Sequence, residues 1–447
     1  MQMHLSDIAH LLNVPGPEHN PVINAASIDS RRVASHDLFV ALDGARTRGV
    51  EHIADAVRNG AVAALAPEPV SADVPVLCVD DPLSALQTLA DHWRQQVDAT
   101  VIAITGSNGK TTMRSLVHAC IGAAALATEG NYNNHIGVPM MLTRLMPDHA
   151  RAVFELGANH AGEIAQMAAW VRPDIAIITN AGPAHLEGFG SIEGVAHAKG
   201  ELFATLDADG TAVINADDDF APLWHELAAP ASITTFGSGP HADFWFENWH
   251  GDNAGQQFLL HTPNGSVNVT LALSGRHNAM NAAGAIAVSI VAGVTLQDAV
   301  ERLATVQAEP GRQHILQARN GWRVIDDSYN ANPGSMRAAA ESLATTEAVR
   351  WMVIGDMGEL GANSEQMHFD TGVAIREAGI DRLLTLGEQA AHAARGFGAD
   401  ALSFLELDDL LTALGGSSAQ DVTVLVKGSR SARMERVVAA LCDGEGA

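Results

Sequence analysis

Thr100-Val-Ile-Ala-Ile-Thr-Gly-Ser-Asn-Gly-Lys-Thr-Thr112 reads as a strand, a glycine loop and the start of a helix in direct succession. The unbroken apolar run Thr100–Thr105 has the pattern of a strand buried on both faces. The stretch Thr111–Ile121 then reads as a helix. In that order, loop N–H groups and the positive helix end point at a phosphate, Lys110 reaches the terminal phosphates and the Thr111 hydroxyl meets Mg2+. The usual loop has a glycine where this chain has Ile104, so this is a shortened form in which Gly106 supplies the bend. A chance glycine turn is the competing reading, and Gly-Lys-Thr-Thr after a buried strand argues against it. Thr105, Gly106, Ser107, Asn108, Gly109, Lys110, Thr111 and Thr112 are therefore the expected ATP-binding loop, which by itself does not say what is done with the ATP.

Outward from the loop, the same rhythm continues through Ala152–Leu156, Ile175–Asn180 and Thr211–Asn215, with helical stretches between. Such alternation predicts a doubly wound parallel sheet. From Phe236 to Leu273 polar and apolar positions alternate between Gly, Asn and Pro breaks, which predicts antiparallel strands appended to that sheet, and a helix follows over His277–Val291. Before the loop, strands at Asp37–Leu42 and Val74–Val79, with helices at His52–Asn59 and Leu83–Gln96, form a smaller α/β unit. After the turn Glu309-Pro-Gly-Arg312 the strand and helix rhythm restarts at Trp322–Asp326, Trp351–Gly355, Leu383–Gly387 and Thr423–Lys427. The expected fold class is α/β in three domains. These are a small N-terminal α/β domain over 1–98, a central P-loop domain over 99–312 and a C-terminal Rossmann-like domain over 313–447.

A chain of 447 residues with 47% hydrophobic and 17% charged residues has material for about three cores. The net charge of −26 repels a nucleic-acid backbone, so any anion site has to be built locally from N–H groups, metal ions and a few placed cations. Cys78, Cys120 and Cys442 lack metal or redox spacing. No basic stretch leads into an apolar run at the N-terminus, and apolar runs are too short to cross a bilayer. A cytoplasmic protein that does not span a membrane is expected.

Of 26 basic residues only Lys110, Lys199 and Lys427 are lysines, and each adjoins a glycine. Chance survival is the bland explanation. A compact ammonium or a neutral amine nucleophile cannot be replaced by arginine, so all three are functional candidates. Glu155 closes one predicted strand and His185 follows another, which puts both at the carboxyl edge of the sheet that carries the loop. A solvated turn residue would be the ordinary reading of either one alone.

At this point the residues resemble a family. Thr105-Gly-Ser-Asn-Gly-Lys-Thr-Thr, Glu155-Leu-Gly-Ala-Asn, Thr179-Asn-Ala-Gly-Pro-Ala-His-Leu and His197-Ala-Lys-Gly-Glu are similar to motifs of the Mur ligases. So are Gly275-Arg-His-Asn-Ala-Met-Asn-Ala-Ala-Gly and Pro310-Gly-Arg. Asp326-Asp-Ser-Tyr-Asn-Ala-Asn-Pro, Gly355-Asp-Met-Gly-Glu-Leu-Gly and Val426-Lys-Gly-Ser-Arg resemble the branch that adds D-alanyl-D-alanine to UDP-N-acetylmuramoyl-tripeptide (UDP-MurNAc-tripeptide).

The resemblance implies an ATP- and Mg2+-dependent ligase that proceeds through an acyl phosphate, acts on small molecules and is a monomer. It implies Lys110, Lys199, His185 and Glu155 as catalytic residues, and Thr111, Glu155, His185 and a carbamylated Lys199 as the metal set. Asn278, Asn281, Arg312, Tyr329, Asn330 and one aspartate of the Asp326–Asp327 pair, with Asp327 favoured, would complete the ATP site. Ser27, Asp29, Ser30 and Arg31 match the UDP-sugar segment, although an ordinary capped turn competes for Ser27. Asn131, Asn133, Asn134 and His135 match the acceptor-peptide loop, and Asp356, Lys427 and Arg430 would line the amine-substrate cleft. The rival readings are a ligase adding a single amino acid, a P-loop motor and a non-catalytic nucleotide-binding module. ATP turnover that ignores the amine acceptor would favour the motor.

Overall fold

In the computed structural model, residues 1–447 are described except 45–46, 253–254, 418 and 443–447. A short antiparallel pair, β1 (Met3–His4) and β2 (Val22–Ile23), opens the chain. Next comes a four-stranded parallel sheet of β3 (Ala25–Ser27), β4 (Asp37–Val40), β5 (Ala63–Ala66) and β6 (Val76–Cys78). The alanine-rich strands β3 and β5 carry little hydrophobic contrast with their surroundings, which is why the sequence pattern showed only β4 and β6.

The central sheet contains β7 (Thr100–Thr105), β8 (Leu126–Ala127), β9 (Arg151–Glu155), β10 (Ile175–Ile178), β11 (Thr211–Asn215) and β12 (Ser232–Gly237). It also contains β13 (Phe244–Asp252), β14 (Gly255–Thr262) and β15 (Gly265–Leu271). Its order is β15-β14-β13-β12-β11-β10-β7-β9-β8. One detail differs from the expectation. β13 joins β12 in parallel through Phe236 and Phe244, and only β13, β14 and β15 run antiparallel to one another. The connection Ser238–Asp243 is too short for a crossover helix, and β12 and β13 share only two parallel rungs before the hairpins take over.

Alternation along these strands sorts the core into two faces. Val101, Ala103, Phe154, Ala176, Ile178 and Ile214 pack with Leu86, Leu89 and Trp93 of helix Pro82–Arg94, so the first domain shares this core. Ile102, Ile104, Val153, Ile177 and Val213 face the other way, against helices Lys110–Ile121 and Arg276–Val291. The third sheet has β16 (His314–Gln317), β17 (Arg323–Asp327), β18 (Val349–Gly355), β19 (Arg382–Leu386), β20 (Ala401–Phe404) and β21 (Val422–Lys427). Its order is β16-β17-β21-β18-β19-β20, parallel except for β16. No helix among the described residues is long and apolar enough to cross a membrane.

Arg94 locks the first domain to the second. Its buried guanidinium donates to the carbonyls of Val171 (2.8 Å), Val97 (2.9 Å) and Arg172 (3.0 Å). Arg94→Met would leave these acceptors without their donors, at a cost of about 2–4 kcal/mol. A urea titration followed by tryptophan fluorescence should show a clearly lower first midpoint; an unchanged one would mean that water replaces the guanidinium.

Candidate active site

The loop after β7 is shaped by two glycines with positive φ, Gly106 at 145° and Gly109 at 79°. A Cβ on Gly106 would sit 1.9 Å from Thr179 Oγ1, so only glycine allows β10 to approach this bend. Thr179 Oγ1 donates to the Asn108 carbonyl (2.6 Å), and the Asn108 N–H donates to Asn180 Oδ1 (3.0 Å). The loop conformation is therefore held by the neighbouring strand end. Asn281 packs its amide against Gly109, and its Nδ2 donates to Asn278 Oδ1 (3.3 Å).

Lys110 is the first residue of the helix that follows. Its Nζ donates to the Gly106 carbonyl at 2.6 Å. Burial pulls its pKa below the usual lysine range; the Glu155 carboxylate opposes that shift and Arg312 adds to it. Glu155 ends β9 and is 2% exposed. Its Oε1 accepts from Asn133 Nδ2 (2.8 Å) and Thr111 Oγ1 (3.4 Å). Its buried Oε2 takes no hydrogen bond and lies 3.6 Å from Arg114 Nη1.

His185 has φ 53°, a left-handed conformation that costs energy for a non-glycine residue. Its Nδ1 contacts the Glu359 carboxylate, which reaches across from the third domain. Burial lowers its pKa, partly offset by Glu359, while Lys110 and Lys199 push it further down. Lys199 lies on helix Ile192–Ala204 and is 1% exposed. Among the described residues no hydrogen bond or ion pair reaches its Nζ, which sits 5.2 Å from the Phe189 ring centroid. Burial, reinforced by Lys110, lowers its pKa to about 7.

Lys110, Thr111, Glu155 and His185 border a cavity of ≈ 920 Å³ between the second and third domains, a size suited to a nucleotide and a second ligand. The loop residues Ser107 to Thr112, with Glu155, His185, Asn278 and Asn281, line one side. Arg312, Asp327, Tyr329, Asn330 and Lys427 line the other, and Asn131, Asn133, Asn134 and His135 border it as well. The Arg312 guanidinium stacks 4.1 Å over the Tyr329 ring. The two domains also meet through Asn332 Nδ2, which donates to Asn108 Oδ1 at 2.7 Å.

The residues present fit Mg2+. An orphaned buried carboxylate oxygen, a hydroxyl and an imidazole share one wall. Among the described residues no three His, Cys, Asp or Glu side chains gather closely enough to hold a metal by themselves. Mg2+ leans on few protein groups and takes its other ligands from phosphate and water, so this sparse donor set suits it.

Several expected site residues lie elsewhere. Thr105 is fully buried and its Oγ1 donates to the Leu156 carbonyl (2.7 Å), a role internal to the fold. Gly106 shapes the loop without lining the cavity. Lys199 sits beneath the cavity wall rather than on it. Asp326 turns inward and accepts from Gly311 N–H (3.0 Å) and Ser328 N–H (3.1 Å), whereas Asp327 reaches the cavity.

Asp356 accepts from the Ala390 N–H (2.7 Å) at the start of helix Ala390–Phe397, and it does not line the cavity. Arg430 is exposed, 5.8 Å from the Tyr329 ring centroid. Ser27 is buried and donates to the Asp29 carbonyl (3.2 Å). Asp29 caps the turn Ser30–Arg32 and pairs with Arg31, whose side chain is 85% exposed. Ser27, Asp29, Ser30 and Arg31 lie in the first domain and do not line the large cavity.

Sequence reasoning missed Arg114, which stands one helical turn after Lys110 and binds both the Gly130 carbonyl (2.9 Å) and Glu309 (3.0 Å). The i, i+4 spacing on the loop's helix was the available signal. Glu359 was missed for a different reason: only the domain arrangement brings it to His185. His277 stands beside Asn278 at the start of helix Arg276–Val291 and lines the cavity with it, and that adjacency was the available signal.

Comparison with known proteins agrees with this geometry. Three family models match in order: the Mur ligase family catalytic domain over residues 22–94, the Mur ligase middle domain over 104–289 and the Mur ligase glutamate ligase domain over 311–430. The UDP-N-acetylmuramoyl-tripeptide--D-alanyl-D-alanine ligase of Escherichia coli is 43% identical over 98% of both chains. The crystal structure of MurF from Acinetobacter baumannii superposes with a TM-score of 0.90 at 36% identity, covering 99% of both chains. MurF ligase from Thermotoga maritima, solved in complex with ADP, superposes with a TM-score of 0.83 at 25% identity, over 94% of this chain and 97% of that one. With its matched domains in series and its loop, Lys110 and buried Glu155 around one interdomain cavity, the chain belongs to the Mur ligase family.

Proposed function

We propose that the protein joins D-alanyl-D-alanine to UDP-MurNAc-tripeptide, consuming ATP and releasing ADP and phosphate. The observation that carries this reading is the opposition of two walls across one cavity. Lys110, Thr111, Glu155 and His185 stand on one side, with Arg312 and Asp327 on the other. The names of the full-length relatives in E. coli and A. baumannii supply the substrate class.

In this reading a carboxylate oxygen of the tripeptide attacks the γ-phosphorus of ATP, the P–O bond to ADP breaks and an acyl phosphate forms. The dipeptide amine then attacks the acyl carbon, and collapse of the tetrahedral species expels phosphate while the amine loses its proton. Two anions have to meet in the first step. Lys110 and the loop N–H groups offset their repulsion, and Arg312 meets the phosphates from the opposite domain. Glu155, Thr111 and His185 would hold Mg2+, which supplies positive charge between the phosphate and the acceptor carboxylate. Asn133 fixes the Glu155 carboxylate and belongs to the acceptor loop, so peptide binding and metal-ligand orientation are joined there.

Lys199 is assigned a carbamate: its neutral amine adds CO2, a C–N bond forms and a proton is released. Support comes from its burial with no ion pair or hydrogen bond at its Nζ among the described residues, and from a pKa that burial and Lys110 lower to about 7 against the opposing charges of Glu163 and Glu201, which leaves a large neutral fraction near neutral pH. Asn278 and Asn281 are assigned to the adenine side, Asp327 to the ribose, and Asn131, Asn134 and His135 to the acceptor.

The test is ADP release from ATP with UDP-MurNAc-tripeptide, with and without D-alanyl-D-alanine. Sustained release is expected only with both, and L-glutamate or diaminopimelate should not replace the dipeptide. ADP release that ignores the amine would instead identify an ATPase.

A further inference from the structure

The third lysine has no place in the mechanism above, and sequence resemblance put it in the amine-substrate cleft. Its surroundings differ from those of a group awaiting a substrate. Lys427 ends β21, in register with Asp327 on β17, and both lie at the carboxyl edge of the sheet. Its Nζ donates to Asp327 Oδ2 at 2.6 Å and to the Asn330 carbonyl at 3.0 Å. The lysine side chain is 5% exposed and the aspartate 13%. The other aspartate oxygen, Oδ1, takes no hydrogen bond among the described residues, and Asp327 lines the cavity.

We infer that Lys427 is a positioning residue for the nucleotide: it holds Asp327 Oδ2 so that Oδ1 is presented to the ribose hydroxyls, and it does not bind the dipeptide. The inference rests on the reading of this cavity as the ATP site. A carboxylate on a strand end has rotational freedom about its terminal bond. A buried ammonium that takes one oxygen removes that freedom and leaves one acceptor facing outward. The second bond, to the Asn330 carbonyl, ties the turn after β17 to the same ammonium, so Tyr329 and Asn330 are fixed along with the carboxylate. Arginine would not serve, because its planar fork would engage both carboxylate oxygens at once. That accounts for a lysine at 427 in a chain that uses arginine nearly everywhere else.

The experiment compares binding of ADP and of dideoxy-ADP, which lacks both ribose hydroxyls, by calorimetry. The proteins are wild type, Asp327→Asn, Lys427→Met and the double variant. Lys427→Met should weaken ADP by about tenfold. Dideoxy-ADP should be little affected, so the preference for the ribose hydroxyls disappears. Adding Lys427→Met to Asp327→Asn should cost less than about a further twofold, because the lysine acts through the aspartate. KM for D-alanyl-D-alanine should stay unchanged.

Equal weakening of ADP and dideoxy-ADP, additive losses in the double variant, or a raised KM for the dipeptide with ADP affinity intact would each overturn the assignment. Full preference for ribose hydroxyls in Asp327→Asn would instead remove the ribose reading itself, and this inference with it. The double variant buries no lone charge, so if Lys427→Met alone fails to fold, the comparison of the double variant with Asp327→Asn decides.

Discussion

Lys199→Ala is expected to lower kcat by about a thousandfold, and acetate or propionate should restore part of the activity. Lys199→Arg should be as inactive and should not respond to either acid. The physical reason is the environment of the Nζ. It is buried 5.2 Å from the Phe189 ring centroid, where desolvation and the Lys110 charge disfavour an ammonium more than Glu163 and Glu201 favour it. A carbamate reverses the sign of the charge and turns that repulsion by Lys110 into attraction. Alanine leaves a space that a short carboxylate can occupy, whereas the arginine side chain fills the space and keeps a positive charge. Supplying ¹³C-labelled bicarbonate should produce a carbamate resonance in the wild type and none in either variant. Equal, unrescued losses in both variants, together with no labelled resonance in the wild type, would rule the carbamate out.

Lys110→Met is expected to have an effect of similar size, lowering kcat by about a hundredfold to a thousandfold while ADP binds within about tenfold of normal. The Nζ hydrogen-bonds the Gly106 carbonyl and sits near both Glu155 and Arg312, which is where the proposed reaction brings the transferred phosphoryl group to the acceptor carboxylate. Charge in that region increases most in the transition state, so the loss should fall on kcat rather than on binding of the diphosphate product. Lys110→Arg should not rescue, because the planar guanidinium needs more room than the loop leaves around a compact ammonium. Rapid-quench measurement of ADP formation, alongside calorimetric ADP binding, separates the two effects. A kcat within tenfold of wild type would remove Lys110 from the phosphoryl-transfer step.

Much of the site was legible in the sequence because its residues follow local rules. Gly106, Gly109 and Lys110 occur together because a strand that turns directly into a helix needs glycine geometry to aim its N–H groups. The buried strands β7, β9 and β10 show as apolar runs because each is covered on both faces. Glu155 and His185 follow from the rule that ligands gather at the carboxyl ends of parallel strands. Residues whose role depends on the distant approach of another element were less legible. Asp326 and Asp327 are adjacent and chemically identical. Which one faces the cavity depends on the pleat of β17 and on the turn at Gly311, whose N–H takes Asp326 out of play. Asp356 lies in one of the motifs quoted above, and that its Oδ1 accepts from the Ala390 N–H depends on where the neighbouring helix packs.

The sequence by itself determined the α/β class, the phosphate loop, the family and the three lysines worth asking about, since each depends on short-range pattern or composition. Only the tertiary structure decided that Lys199 lies beneath the cavity, that Glu359 reaches His185 across the domain boundary and that Lys427 grips Asp327. Those relations join residues that are 100 or more positions apart, or that belong to different domains. Their distances are set by how sheets and helices pack, and neither local propensity nor spacing along the chain encodes them.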